Sequence, residues 1–87
     1  MPKRIVIKDP STGNTAEMEV EDSHLVRDII EEAINFFKLE RAPYWLKKGK
    51  DQLSPDRTVG DAGIREGDIV EIIPDPTGGV FNGKISK

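Results

Sequence analysis

From Ser23 onward the apolar residues recur at steps of three and four: Val26, Ile29, Ile30, Ala33 and then Phe36 or Phe37. Arg27, Asp28, Glu31, Glu32 and Asn35 take the opposite side, so the spacing predicts an amphipathic helix over residues 25–39. Asp22 or Ser23 supplies the oxygen that caps it, Asp28 and the two glutamates suit its positive end, and Pro43 bars continuation past Ala42. This one stripe constrains the whole fold. A lone helix cannot bury its own apolar face, and the rest of the chain reads as short strands and turns, so a sheet must cover it.

The strands come in pairs. Arg4-Ile5-Val6-Ile7-Lys8 is followed by the turn formers Asp9-Pro10-Ser11-Thr12-Gly13-Asn14, and residues 15–21 then alternate polar with apolar, which predicts a β-hairpin. Period-two alternation sends Ala16, Met18 and Val20 to the buried face beside Ile5 and Ile7 and leaves Val6 outside. Tyr44-Trp45-Leu46 is a short aromatic strand ending in a turn where Gly49 takes a positive φ; Tyr44 and Leu46 point one way and Trp45 the other. Thr58 and Asp61 have the spacing of a cap on one helical turn, Ile64 returns to the core, and Glu66-Gly67-Asp68 is a turn. Ile69-Val70-Glu71-Ile72-Ile73 is the most β-prone strand and the central one, ending at Pro74. The expected core is Ile5, Ile7, Met18, Val20, Val26, Ile29, Ile30, Ala33, Leu46, Leu53, Ile64, Val70 and Ile72.

Composition narrows the function. A chain of 87 residues holds one domain with one small core. Its 13 Lys+Arg against 16 Asp+Glu leave a net charge of -3, which argues against a phosphate-backbone binder and hence against nucleic acid. Without cysteine there is no disulfide, no thiolate nucleophile and no Cys-ligated zinc. The basic start is followed by only three apolar residues before Lys8, too few for a signal peptide, and no run reaches membrane-spanning length. The expectation is a soluble, cytoplasmic monomer that does not engage a membrane.

Thr12-Gly13, Thr15, Glu19-Val20-Glu21, Gly49-Lys50, Leu53, Thr58, Asp61, Ile64 and Gly78-Gly79 together resemble the ubiquitin-like β-grasp family, ubiquitin in particular. The resemblance covers residues 3–79; from Gly13 to the glycine pair it needs no gap, and only the first turn carries an extra residue. It implies an α+β fold, a mixed four- to five-stranded sheet wrapped over one helix. Residues 1–74 form the domain, residues 75–79 a flexible tail ending in Gly-Gly, and residues 80–87 a C-terminal extension open to removal by processing.

The resemblance also implies a role: a modifier whose terminal glycine carboxylate is activated as an adenylate and passed through thioesters to an amine. The site residues are then Gly79, whose carboxylate reacts, Gly78, whose missing Cβ gives access to it, and Val80, before which a peptidase cuts. Its partners would be a processing peptidase, activating and conjugating enzymes, and target proteins; the chain itself would be no enzyme and hold no cofactor or metal. Two departures matter. Asp75-Pro76-Thr77 stands where ubiquitin has basic and apolar residues, so its activating enzyme would differ. The positions of ubiquitin's apolar patch hold Ser11, Lys47, Glu71 and Ile73, and only Ile73 is apolar.

A different surface is expected to replace that patch. Outward Trp45 beside Ile73, ringed by Lys47 and Glu71, makes an interaction hot spot, or else Trp45 folds over the sheet edge as a satellite of the core. Residues 80–87 also leave a second role open, a non-covalent interaction module of the secretion-system or scaffold type in which Val80-Phe81 and Lys84-Ile85 dock back on the sheet. A sulfur carrier, the third possibility, would end at the glycine pair. His24 has no nucleophile near it in sequence, the carboxylates Glu31, Glu32, Asp61, Glu66 and Asp68 match no ligand loop, and Lys47, Lys48 and Lys50 are too few for a nucleic-acid stripe.

Overall fold

The structure is a computed structural model that describes residues 2–75. Alternation builds its first two strands, β1 (Lys3–Asp9) and β2 (Asn14–Val20), into an antiparallel hairpin that pairs Ile5 with Met18 and Ile7 with Ala16. The turn closes on Asp9. Its carbonyl accepts the N–H groups of Thr12 and Gly13 at 3.2 and 2.7 Å, and Gly13 takes a φ of +82° that a Cβ would oppose. Its carboxylate, buried, accepts Ser11 N–H at 3.0 Å, Ser11 Oγ–H at 2.7 Å and the Thr12 hydroxyl at 3.2 Å. The Ser11 hydroxyl bond leads in holding that carboxyl below its usual range, and burial opposes it.

The helix α1 spans Val26–Phe37 and buries Val26, Ile29, Ile30, Ala33 and Ile34, with Phe37 half-buried and Phe36 exposed. Its start corrects the expected cap. Neither Asp22 nor Ser23 serves; Leu25 is the cap residue, and its N–H donates to the Asp28 carboxylate at 3.1 Å. The helix N–H groups of Val26 and Arg27 instead donate to the carbonyls of Arg57 and Pro55, at 2.8 and 3.0 Å. A distant loop therefore caps this helix, and Asp22 is engaged elsewhere: its carbonyl accepts Gly60 N–H at 3.1 Å and its carboxylate pairs with Lys3 at 2.5 Å. At the other end Lys38 turns left-handed at φ 57°, and Leu39 N–H returns to the Ile34 carbonyl at 3.0 Å.

β3 (Tyr44–Lys48), β4 (Asp51–Leu53) and β5 (Ile69–Pro74) complete a five-stranded sheet in the order β2-β1-β5-β3-β4. β1 and β5 run parallel and every other pair antiparallel, with β5 at the centre. Gly49 makes the β3–β4 turn at φ +61°. In the connection from β4 to β5, Asp61 N–H donates to Thr58 Oγ1 at 3.0 Å, the expected one-turn cap.

The sheet's inner face and α1 enclose the core. Every residue expected there is buried except Met18, which is half-buried because β2 lies at the sheet edge. Ile34 and Val59 join the core unanticipated. β5 ends at Pro74, as expected. Pro74 still pairs opposite Tyr44, and Asp75 N–H donates to the Pro43 carbonyl at 3.0 Å; a terminal Pro can pair because its carbonyl still accepts and its missing N–H falls at the ladder's end.

Candidate interaction surface

The face of the sheet turned away from α1 is set by the same alternation that fills the core. Leu46 and Ile72 point inward, so their neighbours Trp45, Lys47, Glu71 and Ile73 point outward. Register brings the four together: Trp45 lies directly opposite Ile73, and Lys47 opposite Glu71, on adjacent strands. All four are half-buried.

Trp45 is not among the half-buried apolar residues packed against the core, whereas its neighbour Tyr44 is. Its cross-strand partner on the outer face is Ile73. Tyr44 is fixed from below, its hydroxyl donating to the Glu40 carbonyl at 3.0 Å, and this holds the start of β3 in place.

Two features of this face were not read from the sequence. Lys8 lies beside Glu71 across the parallel β1–β5 pair, so the Glu71 carboxylate sits between Lys8 and Lys47; among the described residues it closes an ion pair with neither. Val6 lies beside Ile69, which is 60% exposed, giving a second apolar pair on the far side of that charged row. The parallel register creates both, and no local pattern in either strand carries it.

The small basic cluster is divided. Lys48 turns away to the Gly63 carbonyl at 2.6 Å and to Asp68 at 3.1 Å, a structural role, while Lys47 stays on the outer face. Burial works to raise the Asp68 carboxyl, but the Arg65 N–H and Lys48 bonds and the charges of Lys48 and Arg65 outweigh it and hold the group below its usual range. His24 serves the β2–α1 connection: its Nδ1 accepts Glu21 N–H at 3.1 Å, and its carbonyl accepts Val59 N–H at 2.8 Å. Glu31 pairs with Arg41 at 2.9 Å, and Glu66 accepts Arg4 N–H at 2.8 Å.

Comparison with known proteins decides the fold. A protein designed de novo on the basis of ubiquitin superposes with a TM-score of 0.73 at 17% identity, over 82% of this chain and 85% of its own. The fold is the ubiquitin-like β-grasp. No family model and no curated protein matches the sequence. No helix among the described residues is long and apolar enough to cross a membrane. Gly78, Gly79 and Val80, and the apolar residues of the extension, lie outside the described residues.

Proposed function

We propose that this chain is the precursor of a ubiquitin-like protein modifier and acts as a substrate of other enzymes. The observation that carries this reading is the place of Gly78-Gly79 in a β-grasp domain. They follow the end of its central strand at Pro74 by four and five positions in the sequence. A pair without side chains at the end of such an arm fits a narrow activating channel.

In this reading a peptidase hydrolyses the Gly79–Val80 bond and frees the Gly79 carboxylate. Attack on the α-phosphate of ATP gives an acyl adenylate and releases pyrophosphate. A cysteine thiolate of the activating enzyme displaces AMP, and an amine of the target finally displaces the thiol to leave an amide. Trp45 and Ile73 support the reading from the domain side: Ile73 immediately precedes Pro74, so an enzyme docked on this face has the arm within reach.

The test is intact-mass analysis of the N-terminally tagged chain in its own host, with Gly79→Ala beside it. Expected are a species ending at Gly79 and heavier conjugates that the substitution abolishes. A single species retaining residues 80–87 and indifferent to Gly79→Ala would replace this reading with a non-covalent binding module. A species ending at Gly79 with one oxygen exchanged for sulfur would replace it with a sulfur carrier.

A further inference from the structure

We infer that the connection between α1 and β3 is a clamp that fixes where the arm leaves the domain, with Arg41 and Tyr44 as its positioning residues. β5 closes its pairing at Pro74, opposite Tyr44, and a proline has no N–H to donate to the ladder. The root of the arm is held one residue later instead, by Asp75 N–H to the Pro43 carbonyl at 3.0 Å. Whatever holds Pro43 therefore holds that root.

Pro43 lies in a stretch that packing alone does not fix. Residues 38–43 belong to neither helix nor strand, and Glu40, Arg41, Ala42 and Pro43 are all exposed. A cleft of about 190 Å³ opens between them and α1, with Ile30 and Ile34 on the helix side and Ala42, Pro43 and Tyr44 on the other. An exposed connection over a cleft sits at the low-stability end of a fold unless it is tied. This one is tied on both sides of Pro43. Two residues before it, one guanidinium nitrogen of Arg41 donates to both carboxylate oxygens of Glu31, on α1, at 2.9 and 3.2 Å. One residue after it, Tyr44 packs against the core, and its hydroxyl reaches back across the connection to the Glu40 carbonyl at 3.0 Å.

These ties serve position more than stability. The Arg41–Glu31 pair leaves 66% and 50% of its two side chains open to solvent, and an ion pair of that kind adds little to global stability. It narrows the places that the Pro43 carbonyl can occupy, and with them the directions in which the arm can start. Pro43 and Asp75 stand two residues in sequence from Trp45 and Ile73, so an enzyme seated on that pair meets an arm anchored close beside it. An arm already aimed loses fewer conformations on entering a channel, and its effective concentration there rises. That consequence rests on the modifier reading, whereas the clamp itself does not.

The test uses charge reversal in the full chain: Glu31→Arg, Arg41→Glu and the two together, with Tyr44→Phe beside them. NMR follows amide hydrogen exchange at Asp75, melting temperature reports the global fold, and intact mass in the host reports Gly79-dependent conjugates. Each single substitution should speed Asp75 exchange at least about threefold while moving the melting temperature by less than about 4 °C. The double reversal restores the pair with its charges exchanged and should return Asp75 exchange to the parent's rate. Conjugates should fall about threefold in the single variants and recover in the double. Asp75 exchange unchanged by every single substitution, left fast in the reversed pair, or matched by equal speeding at core amides would overturn the clamp. So would conjugates that stay at the parent's level while Asp75 exchanges fast. A parent that forms no Gly79-dependent conjugates would sink the modifier reading instead, and the Asp75 amide would still decide the clamp.

Discussion

At the scale of single residues, Trp45 and Lys38 separate recognition from stability. Trp45 is held by a cross-strand neighbour on the outer face and not by the core, so its removal exposes no cavity in the core. Trp45→Ala should lower the melting temperature by no more than about 8 °C, while reducing Gly79-dependent conjugates in the host at least about tenfold. A larger fall in melting temperature with conjugates undiminished would remove Trp45 from the recognition surface. Lys38 is the opposite case, a side chain in a left-handed position where glycine is at ease. Lys38→Gly should raise stability by about 1 kcal/mol, seen as a melting temperature higher by about 4–8 °C, with conjugation unaffected.

At the scale of elements, the loop between β4 and β5 is the second cap of the helix and a piece of the core at once. Val59, fully buried, anchors it, and its N–H donates to the His24 carbonyl just ahead of α1. Val59→Ala should destabilise by about 2 kcal/mol and, more tellingly, speed hydrogen exchange at Val26 and Arg27, whose N–H groups bond that loop. If those two amides exchange no faster while the global stability falls, the loop does not act as a cap. This arrangement also shows why some of the fold was legible and some was not. Alternation and the helical period are local, so they exposed β1, β2, α1, the inward Leu46 and Ile72, and the outward Trp45 beside Ile73. Ile34 continues the same helical stripe and was readable there. Val59 was not, because it stands among turn residues with no period to mark it, and the helix cap comes from carbonyls about thirty positions away in sequence. The Val6–Ile69 and Lys8–Glu71 neighbours depend on the parallel register of β1 and β5, which only the closed sheet settles. Of the candidate site, the sheet face was legible from alternation, and the glycine pair from sequence alone.

At the scale of the molecule, two carboxylates couple the fold to acid. Asp9 locks the β1–β2 turn through Ser11 and Thr12, and Asp68 locks the entry to β5 through Arg65 N–H and Lys48. These turns lie at opposite ends of β1, since Gly67 N–H, beside Asp68, donates to the Arg4 carbonyl at 2.8 Å while Asp9 ends the strand. Both carboxyls are held below the ordinary range in the folded chain, so near the ordinary value of about 3.9 the unfolded chain binds more protons than the folded one. Their stabilisation is therefore complete above that value and is lost as pH falls through the lowered ones. Asp9→Asn removes one titrating group while keeping an oxygen that accepts from Ser11. Urea unfolding at a series of pH values should show the variant less stable than the parent at neutral pH, the gap closing as pH falls below about 4. A gap that stays constant into acid would mean that the Asp9 bonds hold the turn equally well without charge, and the acid sensitivity of the hairpin would then have another source.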